Sequence, residues 1–89
     1  MTNTITTTGF LPPVSTPHQS GESVREWVAR HNECVNDGSP GSTLETSWTS
    51  SEGTKKVKNQ RLEGETDAEF ESRHIESYLV VMVESPPVP

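Results

Sequence analysis

Gly21-Glu22-Ser23-Val24-Arg25-Glu26-Trp27-Val28-Ala29-Arg30-His31 returns 43 positions later as Gly64-Glu65-Thr66-Asp67-Ala68-Glu69-Phe70-Glu71-Ser72-Arg73-His74. The shared pattern is G-E-[ST]-x-x-E-[WF]-x-x-R-H, followed two residues on by Glu33 and Glu76. A match of this length in so short a chain implies a structural unit used twice. Most of the pattern builds a helix start. Ser23 with Glu26, and Thr66 with Glu69, have the spacing of a capping box, in which side chains satisfy the orphan amides of the first turn. Val24, Trp27, Val28, His31 and Val35 then recur at helical spacing on one face. Phe70, His74, Tyr78, Val81 and Met82 do the same in the second copy. Glu26–Arg30 and Glu69–Arg73 stand at i,i+4 in the order that favours an intrahelical ion pair.

Outward from the repeat, the spacing predicts helices over 23–35 and 66–82. Between them, Thr43–Ser50 alternates, with Leu44, Thr46 and Trp48 on one side. Ser51-Glu52-Gly53 makes a turn, and 54–61 returns as a second strand. Residues 1–19 are rich in Thr and Pro, and the missing proline donors suit an extended arm or an edge strand. The core is thus 20–85, ordered α-β-β-α, with a proline-bearing tail at 86–89. The 43-residue offset also pairs Thr6 with Thr49, Thr7 with Ser50 and Val14 with Val57. The expected fold is therefore α+β: a small antiparallel hairpin sheet with two similarly capped helices, read as a tandem ββα duplication with pseudo-twofold symmetry. Val24, Trp27, Val28, His31, Leu44, Trp48, Val57, Phe70, His74 and Tyr78 are the expected core.

Composition bounds the function. Only 28% of the 89 residues are hydrophobic, a thin core that calls for a partner or a second copy to cover more surface. The net charge of −6 repels nucleic acid and anionic lipid on average. The single cysteine, Cys34, excludes an internal disulfide framework and suggests a reducing, cytoplasmic location, with the thiol buried. No apolar run is long enough to span a bilayer.

Chemistry is sparse. His31 and His74 close the two motifs, and facing each other they would suit a metal site or a pH-responsive module; packing behind Trp27 and Phe70 is the simpler role. His31-x-x-Cys34 supplies only half a zinc site. Arg30 and Arg73 have a structural reading in which each caps the hairpin of the opposite unit. Lys55, Lys56, Lys58 and Arg61 form the one basic strip, which beside Trp48 would suit a nucleic-acid-binding regulator. The carboxylates of Glu22 and Glu65 already answer the helix N-termini, so phosphate binding is disfavoured. No nucleophile–base–orienter set, phosphate loop or cofactor motif is present. The expectation is a non-catalytic interaction or assembly protein, such as a small adaptor, inhibitor or accessory subunit of the kind phages and mobile elements carry. Val80, Val81, Met82 and Val83 exceed one helix face, so part of that run is expected to meet another chain. The motif residues Glu26, Trp27, Arg30, His31, Glu69, Phe70, Arg73 and His74 are expected to be structural.

Overall fold

A computed structural model describes residues 3–89 of the chain. The elements run β1 (Thr4–Thr8), β2 (Val14–Pro17), α1 (Val24–Asn36), β3 (Thr43–Ser50), β4 (Gly53–Gln60) and α2 (Asp67–Glu84). One antiparallel sheet has the order β2-β1-β3-β4, and both helices cover the same face. The fold is a small α+β fold with two ββα halves in succession.

Of the arm or edge strand expected for 1–19, the edge strand is present as β2, while β1 lies inside the sheet. Its prolines fall where a missing N–H costs nothing: Pro12 and Pro13 lie between the strands, and Pro17 ends the edge strand β2. That leaves β1 free to enter the middle of the sheet, with Ile5 and Thr7 fully buried. The tail is also held. Ser50 bridges Pro87, Val88 N donates to Thr49 O, and Asn3 Nδ2 donates to the carbonyls of Thr49 and Val88.

The sheet register corrects the uniform 43-residue offset. Thr4 pairs with Pro17 as Thr43 pairs with Gln60, so Thr7 occupies the position of Thr46, not of Ser50. Val14 does match Val57, each being the partner of one of those threonines. The second hairpin has longer strands, and its extra residues shift the offset between strand pairs. Across the central strands Thr7 faces Thr46, flanked by Thr6–Ser47 and Thr8–Glu45.

Two apolar clusters lie between sheet and helices. Ile5, Trp27, Trp48, Tyr78 and Met82 form one; Phe10, Val35, Leu44 and Phe70 form the other. Of the expected core residues, Val24, Val28 and Val57 are half-buried and the rest are buried. Ile5 and Phe10 join them from the segment read as an arm or edge strand. Val35 and Tyr78 fill matching helix positions one turn beyond the motif histidines, and the larger ring reaches the centre of the molecule.

Candidate functional site

The repeated motif builds a strand-to-helix corner, and the same contacts occur in both halves. Gly21 and Gly64 each adopt a φ of +80°, which an L side chain disfavours. Ser23 and Thr66 accept from the N3 amides of Glu26 and Glu69, whose carboxylates return to the cap amides at 3.1 Å. Those bonds hold both carboxyls below their usual range. The expected Glu26–Arg30 and Glu69–Arg73 pairs do not form, because Arg30 and Arg73 turn back to Glu22 and Glu65.

The arginines instead clamp the residue after the glycine. Arg30 donates Nε and Nη2 to Glu22 at 2.8 and 2.9 Å and Nη2 to Pro17 O at 2.6 Å. Arg73 repeats this on Glu65 at 2.8 and 2.9 Å and on Gln60 O at 2.6 Å. Each arginine therefore ties off the last residue of its own hairpin, not the opposite one. The two-pronged arginine pair, followed by a backbone amide, holds Glu22 and Glu65 down at about 2.

The histidines meet in the centre. His31 Nε2 lies 2.7 Å from Thr7 Oγ1 and its Nδ1 2.7 Å from Thr16 Oγ1. His74 Nε2 lies 2.8 Å from Thr46 Oγ1 and its Nδ1 2.9 Å from Asn59 Nδ2. Thr7 and Thr46 close the gap at 2.7 Å. Tyr78 stands edge-on to both rings, with centroid distances of 6.2 and 5.4 Å, and its hydroxyl donates to Asn32. Burial depresses both histidines to about 4, with His74 and then Arg30 adding to it for His31, and Arg73 for His74. Both rings are therefore neutral near pH 7.

This placement bears directly on metal binding. All four ring nitrogens are spent on hydrogen bonds, leaving no lone pair aimed at a common point. His31 points inward while Cys34 is exposed, so the two do not converge, and the thiol is not buried as expected. Helix geometry explains this, since Cys34 lies off the face that carries Trp27, His31 and Val35. Among the described residues no group of three or more His, Cys, Asp and Glu is placed to hold a metal ion.

The basic strip is divided by the strand. Lys56 and Lys58 are exposed on the outer face, opposite Ser47 and Glu45. Lys55 pairs with Trp48 on the inner face. Trp48 is 2% exposed and donates Nε1 to Ser85 O at 2.8 Å, so it offers no ring for stacking. Arg61 is drawn inward, bonding Pro40 O at 2.9 Å and Asp67 at 2.7 Å, with its guanidinium over Phe70. The structure does not bring these four cations together.

The valine run also splits. Met82 is buried and Val81 packs on the core, whereas Val80 and Val83 are 67% and 83% exposed. Beside them, the antiparallel α1 and α2 enclose a cleft of about 440 Å³ lined by Val24, Val28, Leu79, Met82 and Val83, with Arg25 and Asn32 among its polar members. Val24 and Val28, expected in the core, are half-buried and line this cleft. No helix among the described residues is long and apolar enough to cross a membrane. Comparison of the chain with protein-family models, with curated proteins and with solved structures finds no match.

Proposed function

We propose that this chain is a non-catalytic protein-interaction module whose docking surface is the apolar cleft between α1 and α2, and that its occupant is a basic amphipathic helix of a protein partner. The observation that carries this reading is the Val80–Val83 ridge beside the cleft. Aligned on the motif, the end of α1 at Asn36 matches Leu79, so α2 continues for another turn that the first half lacks. The exposed valines lie on that extra turn. Covering them by a partner removes apolar surface from water at roughly 25 cal/mol per Å².

Charge selects the partner. The one charged residue lining the cleft is Arg25, whereas Glu33, Glu76 and Glu84 are exposed elsewhere on the two helices and make no ion pair among the described residues. A second copy would bring the same carboxylates and another net charge of −6 against them, whereas a lysine-rich helix complements them. In this reading the two ββα halves are copies of one unit, the second extended for binding, and the protein works as a cytoplasmic adaptor or accessory subunit.

The test is titration of the full chain with a fluorescent amphipathic helix of leucine and lysine, and with its glutamate counterpart, at low and moderate salt. The basic peptide should bind in a salt-dependent manner, and Val83→Glu should weaken binding at least tenfold. Equal binding of both peptides, or binding indifferent to Val83→Glu, overturns the reading. A dimer in sedimentation that Val83→Glu dissolves would replace the basic partner with a second copy.

A further inference from the structure

We propose that Asn59, His74, Thr46, Thr7, His31 and Thr16 form one hydrogen-bond chain with a single proton direction, and that this chain is an acid-released latch holding both helices to the sheet. Each helix contributes one link: His31 comes from α1 and His74 from α2. Each strand contributes one as well, with Thr7, Thr16, Thr46 and Asn59 coming from β1, β2, β3 and β4.

The direction is set at one end. Arg73 Nη1 donates to Asn59 Oδ1 at 3.4 Å, and the same guanidinium would repel an amide NH₂ turned toward it. The amide therefore presents Nδ2 to His74 Nδ1, which must accept. His74 is neutral with its proton on Nε2 and donates to Thr46. The Thr46 hydroxyl touches only His74 and Thr7, so its own hydrogen goes to Thr7. Thr7 in turn donates to His31 Nε2, leaving the His31 proton on Nδ1, where it donates to Thr16. Two histidines in equivalent positions thus carry opposite tautomers.

Proton counting makes the chain a latch. Between the two Nε2 atoms there are three links, Thr46–His74, Thr7–Thr46 and Thr7–His31, and the neutral chain supplies one hydrogen for each. A proton added at His31 Nε2 gives one hydrogen too many, so a buried donor loses its acceptor. At His74 the free site is Nδ1, where a new proton meets the Asn59 amide. Neither ring accepts a proton without breaking a link.

The surroundings offer no relief. The strands present only hydroxyls and an amide to the rings. Arg30 on α1 and Arg73 on α2 are both cations that oppose protonation, and their carboxylate partners Glu22 and Glu65 are already engaged. Tyr78 is a neutral phenol whose ionisation is pushed up by burial.

The experiment is ¹⁵N NMR of the ring nitrogens in the unmodified chain, followed from pH 7 to pH 3 together with tryptophan fluorescence. The expected result at pH 7 is a Nδ1–H tautomer at His31 and a Nε2–H tautomer at His74. On acidification, imidazolium signals from both rings should appear only together with loss of the native spectrum. The same tautomer at both sites overturns the one-way chain. A ring that becomes charged while the native spectrum persists overturns the latch. Because α1 and α2 also form the cleft, acid release should abolish peptide binding; that consequence rests on the proposed docking role, and the tautomer readout does not.

Discussion

Thr7 and Thr46, 39 residues apart in the chain, place their hydroxyl oxygens 2.7 Å from each other at the centre of the sheet. Both are fully buried and each also touches a histidine. This contact joins the two halves through polar atoms where an apolar pair would be the ordinary choice. Its energetic weight lies in what removal exposes: a hydroxyl lost here strands a neighbouring donor or acceptor.

Thr46→Val should therefore destabilise the protein by about 1–3 kcal/mol in urea unfolding, because His74 Nε2–H loses its acceptor and the Thr7 hydroxyl loses its donor. Thr6→Val, next to Thr7 but on the outer face, should stay within about 0.5 kcal/mol. Equal effects at the two positions would show that the central hydroxyls are ordinary sheet residues.

Stability should fall in acid from below neutrality. His31 and His74 are depressed to about 4 in the fold, against about 6.5 in the unfolded chain. The unfolded state then binds protons first, so stabilisation is complete above pH 6.5 and drains away as the pH falls toward 4. Each buried ring accounts for up to about 3 kcal/mol on that scale. Glu22 and Glu65, held at about 2, add a further loss below about pH 4.5. Glu71, raised first by burial and then by Asp67, works in the opposite sense. Urea midpoints at pH 7, 5.5 and 4.5 check this; a midpoint that does not move between 7 and 4.5 contradicts it.

Arg30→Lys and Arg73→Lys should each lower the melting temperature, and by similar amounts. Lysine keeps the charge but loses the paired geometry that holds a carboxylate and a strand-end carbonyl together. Thermal denaturation of the two variants is the measurement, and a large inequality would mean the two corners are not energetically alike.

Glycine substitutions should rank by surroundings. A Cβ at Gly9, where φ is +111°, would meet Thr43 O at 2.1 Å, a backbone atom that cannot step aside. At Gly21 and Gly64 nothing lies within 4 Å, so alanine there brings only the left-handed backbone penalty of about 1 kcal/mol. Gly9→Ala should exceed both by at least about 1 kcal/mol in equilibrium unfolding, and the reverse order would refute the close approach of these backbones.

Local instructions in the chain were readable because they act within a turn or two. The capping boxes, the helix faces of Trp27 and Phe70, and the alternation through Leu44, Thr46 and Trp48 all appear as read, with helix and strand ends displaced by one or two residues. One reading failed and another stayed open where a residue had two environments to choose from. Glu26 and Glu69 were within reach of both a cap amide and an arginine. Pro12, Pro13 and Pro17 were compatible with an arm or with the loop and end of an edge strand.

The two helix corners follow from local order in the chain, because cap, glycine turn and core aromatic are neighbours and need no distant partner. The centre of the molecule emerges on folding. Thr7, Thr16 and Asn59 carry no signal in the sequence beyond polar residues in strands, and Thr46 only its place on the face of Leu44 and Trp48. Their meaning arises when sheet pairing brings four strands under two helices and buries the hydroxyls and the amide beside two imidazoles. There, away from water, each hydrogen must find an acceptor within the protein, and the last residue of the repeated motif acquires its partners.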